Sequence, residues 1–191
     1  MSTSLLLQHF LMYVIVPVWL LAGLADYLCH RHARIEETSG VFESLLHLLQ
    51  FGQVGIPLLA ALFLEINAGI LLLMLMGLVL LQATAVWDVR YANNTRRVPP
   101  FEQHVHGVLE MTPAIATAIV AILHWPQFLS LFGIGEARFA FALKDPPLPA
   151  WYLWCTMLAV LVCGVLPYGE ELVRTVRTRG LTTARRTAAG S

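Results

Sequence analysis

The chain is short of charge. Asp, Glu, Lys and Arg make up 13% of its 191 residues, while hydrophobic residues reach 58%. Soluble domains carry roughly 25% charged residues, so an ordinary soluble globule is excluded, and so is a disordered chain. Neither sign of charge is in excess, with 12 basic and 12 acidic residues, which removes the basic field that nucleic-acid binding needs. Cysteine is scarce. Cys29, Cys155 and Cys163 show no CxxC spacing, so a disulfide framework and a thiolate metal site are not expected, and the three read as buried thiols in helix packing. No ferredoxin-like cysteine pattern and no nucleotide motif is present. A basic start is also missing. The first formal charge is Asp26, beyond a full span's length, so a cleavable signal is not expected and residues 1–25 stay in the mature chain. No internal repeat is detectable.

What the chain does have is long uncharged runs of about 20 residues, the length a helix needs to cross a bilayer. The expected fold is an all-α integral membrane domain over 1–180, with spans near 5–28, 41–66, 68–87, 101–125 and 151–168. Pro17 should bend the first span and Pro113 the fourth. Residues 126–149 read as an interfacial or partly re-entrant segment, and 181–191 as a disordered tail. With this topology, ten of the twelve basic residues fall on one side. The positive-inside rule then sets the N-terminus outside and the C-terminus in the cytoplasm, a bacterial inner membrane being the expected location. Trp87, Trp125 and Trp151 sit at span ends, as an aromatic belt would place them.

Seven histidines in so apolar a chain need explaining. Asp26 and His30 end the first span at i,i+4, and Glu43 and His47 start the second at the same spacing. Asp88 closes the third, and Glu102, His106 and Glu110 form a stripe at the start of the fourth. Residues four apart share a helix face, so each helix presents its acid and histidine together. All four helices deliver them to the inner side. His32 and His104 lie two residues from candidate ligands, about 200° round the helix. His32 therefore reads as interfacial, and His104 as a residue flanking the site or serving substrate.

Each element also has a plain explanation. Acids in a first helical turn are favoured by the helix dipole, which suits Glu43 and Glu102, and Asp88 is a natural first water-facing residue. Glu110 resists this. It lies more than two turns into its span, where an ionisable group is expensive unless paired or functional. Taken together, the acid/His pairs read as a metal site formed by Asp26, His30, Glu43, His47, Asp88, His106 and Glu110. So many ligands exceed one tetrahedral zinc and suit two metal ions. Mixed N and O ligands without thiolate favour iron, then manganese or zinc. Haem has no need of the acids.

The layout resembles that of the membrane-embedded fatty acid desaturase and hydroxylase group, over residues 26–110. That resemblance implies a di-iron site at the cytosolic ends of transmembrane helices. The group is rich in HxxxH and HxxHH clusters, whereas this chain has DYLCH, ESLLH and EQHVHGVLE, so no residue roles are carried across. In chemistry the ligand set is closer to the soluble carboxylate-bridged di-iron bundles.

The expected function is O2-dependent hydroxylation or desaturation of a lipid or other apolar molecule. Glu102, His104 and Tyr91 are the catalytic candidates. Arg90, Arg96 and Arg97 are candidate anchors for an anionic headgroup, or simply topology-setting charges. The missing redox motifs imply a separate electron-donor protein. Two alternatives stand beside this. A zinc-dependent lipid hydrolase would need one zinc and a carboxylate base. A proton-coupled carrier or non-enzymatic subunit would need polar groups on both halves, and the outer half offers mainly His9, Glu65, Asn67 and His124.

Overall fold

In hydrocarbon every backbone N–H and C=O must find its partner within the chain, so uncharged runs of this length fold as helices. Five do so here: α1 Thr3–Ala33, α2 Gly40–Phe63, α3 Ala68–Thr95, α4 Pro100–Leu123 and, after the six-residue α5 Trp125–Ser130, α6 Ala150–Leu181. The structure, a computed structural model, describes residues 2–189, with side chains as far as Leu181. Helical backbone continues to Ala189, and residues 190 and 191, the end of the expected tail, lie outside the described residues. The chain is all-helical, and all five long helices are apolar enough to span a membrane.

Local chemistry sets the boundaries. Pro100 opens α4, where its missing N–H has no intrahelical partner to lose. Asn67 caps α3, its side-chain oxygen accepting from the Gly69 and Ile70 amides at 2.9 and 3.2 Å. Pro17 and Pro167 each follow a π turn, Leu11–Ile15 in α1 and Leu161–Val165 in α6. A proline inside a helix leaves an upstream carbonyl without its N–H, and a wider turn is one way the helix absorbs the mismatch. The interior therefore tolerates both prolines without ending either helix.

Three spans run longer than the sequence implied, the first covering Thr3–Ala33 rather than 5–28. The third continues to Thr95 rather than Trp87, and the fifth to Leu181 rather than Tyr168. In the fifth, Leu172, Val173 and Val176 keep an apolar pattern going beyond the pair Glu170 and Glu171. Residues 131–149 are largely non-helical and lie along the α2–α3 turn. The Glu65 amide donates to the Ala142 carbonyl, Lys144 to Phe63, and Gly69 to Arg138. This segment thus satisfies backbone groups that the turn would otherwise leave open.

The two halves of the bundle differ inside. At the end carrying the 124–149 segment the core is apolar, with Leu71, Met74, Val120 and Ala121 packed together. α2 and α3 cross closely, since a Cβ on Gly77 would sit 2.6 Å from the Gln53 carbonyl oxygen. At the other end the buried groups are carboxylates and imidazoles. The outward faces carry Leu21, Val79, Leu158 and similar residues, as a lipid-facing surface requires.

Candidate metal centre

The polar interior is assembled from all five long helices. α1 supplies Asp26 and His30, α2 Glu43 and His47, α3 Asp88, α4 Glu102 and His106, and α6 Glu171. Arg96 enters from the α3–α4 connection. None of the five carboxylates is more than 3% exposed.

Glu171 organises the cluster. Its Oε2 accepts from His30 Nδ1 at 3.0 Å and its Oε1 from His47 Nδ1 at 2.9 Å. An ionised carboxylate only accepts, so both Nδ1 atoms carry hydrogen and both Nε2 atoms face the other way. The two rings stack with centroids 4.2 Å apart and planes 7° from parallel. Their Nε2 lone pairs therefore run side by side and aim at two points, not one.

Each point has its own acids. His30 Nε2 lies 3.4 Å from Asp26 Oδ1 and 3.4 Å from Glu102 Oε1, and His106 Nε2 reaches the same Asp26 oxygen at 2.8 Å. His47 Nε2 lies 3.3 Å from Asp88 Oδ2 and 3.9 Å from Glu43 Oε1. A lone pair facing a carboxylate oxygen at such distances repels it unless a cation, proton or metal, lies between. Five atoms of these residues are buried with no hydrogen-bond partner: Asp26 Oδ1, His30 Nε2, His47 Nε2, Asp88 Oδ1 and His106 Nε2. Metal–ligand bonds of about 2.0–2.2 Å put neighbouring ligand atoms roughly 3 Å apart, close to the spacings found. Asp26, His30 and His106 bring ligand atoms within 4.8 Å of one another, and so do His30, Glu43 and His47.

Charge points the same way. With neutral imidazoles, the five buried carboxylates and the one guanidinium leave four negative charges. Each uncompensated buried ion costs several kcal/mol. Two divalent cations would cancel the excess. Three protonated histidines would not quite do so.

Arg96 corrects one expectation. It does not stand free to meet a lipid headgroup. Its Nη2 is 2.6 Å from Glu43 Oε1, its Nη1 donates to Glu102 Oε2 at 3.0 Å, and Nη2 also contacts Glu102 Oε1. Burial opposes the guanidinium charge, but the bonds to Glu102 and Glu43 outweigh it and hold Arg96 protonated above its usual range. Arg96 thus clamps Glu43, which faces His47, and Glu102, which faces His30. Arg90 and Arg97 are exposed.

His104 is exposed and donates from Nδ1 to the Pro100 carbonyl at 2.8 Å, so it lies outside the cluster, as its rotation from His106 requires. Tyr91 directs its hydroxyl to the Ser39 carbonyl at 2.9 Å, bracing the α1–α2 link rather than entering the cluster. His32 is exposed. Glu102, expected as a catalytic group, sits among the buried carboxylates, against His30 and Arg96. Glu110, expected as a ligand, is half-buried and borders a cavity of about 40 Å³ with Asp26, His47, Asp88 and His106. That cavity is large enough for a water-sized molecule. Tyr168 and Trp19 form part of its wall.

The residues missing from the sequence reading are Glu171 and Tyr168 on α6, and Gln50, whose amide donates to Asp88 Oδ2 at 3.2 Å. Nearby, Tyr27 donates to Glu170, and Arg174 contacts Glu170 and Glu36, fastening α6 to α1 and the link beside the cluster. No family model matches the chain, and no curated protein or solved structure matches it.

Proposed function

We propose that the chain is a membrane-embedded di-metal oxidoreductase, with iron in both positions, that uses O2 to hydroxylate or desaturate an apolar substrate. The observation that carries this reading is the parallel His30–His47 pair, held by one carboxylate and aimed at two separate acid sets. The distance between the rings is close to the roughly 3.5–4 Å separation of two-metal sites. His30, His106, Asp26 and Glu102 would hold one ion, and His47, Asp88 and Glu43 the other. Nitrogen and oxygen donors without thiolate favour iron or manganese over the softer alternatives.

Bound iron would supply O2 activation, while the protein orients substrate and excludes water. Glu171 fixes both imidazole tautomers. Arg96 holds Glu43 and Glu102 in place and limits the local negative charge. Glu110, beside the cavity and outside the ion pairs, is placed to exchange protons with its contents. Hydroxylation takes two electrons and two protons per O2, forming one alcohol and one water, so a separate electron-donor protein is part of the proposal. The basic residues favour the cytoplasm for the clustered end and the outside for the N-terminus.

The test is direct. Iron-loaded protein in nanodiscs is given reductant, a lipid extract and ¹⁸O2, and products are read by mass spectrometry. One ¹⁸O per product, or loss of two hydrogens, is expected. No modified lipid from fully loaded, reduced protein would contradict the proposal.

A further inference from the structure

A second and much larger cavity lies toward the opposite end of the bundle. It has a volume of about 640 Å³ and is walled by α1 to α4, the 144–149 segment and Tyr152 of α6. That volume is typical of a small-molecule site. Its walls are mainly aliphatic. Trp19 and Val54 line both this chamber and the small cavity beside the histidines. Trp19 is 8% exposed and stacks on Phe51 with planes 4° apart. The indole therefore stands as a partition between the two spaces.

The far end of the chamber is basic in its recess and acidic only on its rim. Lys144 donates from Nζ to the Ala61 carbonyl at 2.8 Å and has no carboxylate partner among the described ion pairs. Burial pushes its ammonium down from the ordinary lysine range. His124 lies close enough that burial and the Lys144 charge together lower its own pKa. Glu65 and Asp145 also border the chamber but are exposed. A half-buried ammonium with no carboxylate within ion-pair distance among the described residues, at the end of an apolar chamber, suits an anionic head on an apolar chain. The reach is modest. Gln53, level with the partition, and Ala61, level with Lys144, are eight residues apart on α2, about 12 Å at 1.5 Å per residue.

We propose that the chamber binds a single-chain fatty acid of medium length, carboxylate at Lys144 and terminal carbons against Trp19. Its chemistry rests on the oxidoreductase reading, because the terminal carbons then face the metal cavity. Its binding does not.

The experiment uses full-length protein in nanodiscs and laurate bearing a terminal diazirine, with adducts mapped by mass spectrometry after irradiation. Adducts at Trp19, Gln53 or Val54, competed by unlabelled laurate, are expected. A matched-length alkyltrimethylammonium probe should label these positions at least tenfold less. Lys144→Gln should cut labelling about tenfold, and the chamber-filling variants Ala116→Phe and Leu78→Trp should abolish it while metal content stays unchanged. His47→Ala should lose one of the two metal ions yet keep labelling, which separates this proposal from the metal reading. Adducts confined to lipid-facing residues, equal labelling by the cationic probe, or full labelling in both filled variants would overturn it.

Discussion

Glu171→Gln isolates the feature on which the centre depends. The carboxylate accepts from two imidazoles, one on each oxygen, at 3.0 and 2.9 Å. An amide of the same size offers one acceptor oxygen and one NH2 donor. One histidine keeps its partner. The other meets a donor with a donor, so its ring must turn or move its hydrogen to Nε2, and in either case no Nε2 lone pair is left facing the acids. Loss of such a partner behind a metal-bound histidine typically costs 10–100-fold in affinity, or about 1.4–2.7 kcal/mol. Only one of the two half-sites should suffer this in full. The assay is chelator competition on iron- or manganese-loaded protein, fitted for two sites. One site should weaken by 10–100-fold and the other by far less. Glu170→Gln is the control, because that neighbour bonds Tyr27 and Arg31 outside the cluster. Unchanged affinity at both sites in Glu171→Gln, or an equal loss in Glu170→Gln, would refute the reasoning.

Other consequences follow from the same geometry. His47→Ala should reduce bound metal from about two ions per chain to about one, read by elemental analysis, because His106 and His30 still serve the other half-site. Arg96→Gln leaves Glu43 and Glu102 without their shared partner. It should destabilise the metal-free protein by about 3–5 kcal/mol, seen as a lower thermal midpoint, with added metal recovering part of the loss. Removing metal from the wild type should itself lower the midpoint. Metal at 100 times its dissociation constant contributes about 2.7 kcal/mol to stability. Gly77→Ala puts a methyl group against the Gln53 carbonyl and should cost about 1–3 kcal/mol in the same assay without changing metal content.

The fold was largely legible because a bilayer leaves few choices. An uncharged run of this length must be a helix, and polar breaks between runs must be connections. The paired acids and histidines were legible for a related reason. Four-residue spacing puts two side chains on one face, so Asp26 with His30 and Glu43 with His47 declare themselves within single helices. Contacts between helices leave no such local mark. Glu171 escapes the sequence because charges begin just after Tyr168 and mark an apparent end of the fifth run, although Leu172, Val173 and Val176 carry the apolar pattern onward. Arg96 looked like any loop arginine. Its partner Glu43 lies far away in sequence, and only the turn through Pro99 and Pro100 brings Glu102 back beneath it. Glu110 illustrates the reverse case. Its depth marked it as unusual, but depth alone did not fix which way the side chain faced, and it borders the cavity rather than joining the ion pairs.

The central claim is that this polar interior holds two metal ions. It is tested most directly by elemental analysis of protein purified in detergent without chelator and expressed as metal per chain. About two ions per chain, mainly iron, are expected, and both should be lost when His30 and His47 are together replaced by alanine. No metal, even after anaerobic reconstitution with Fe(II), or a single tightly held zinc, would contradict it.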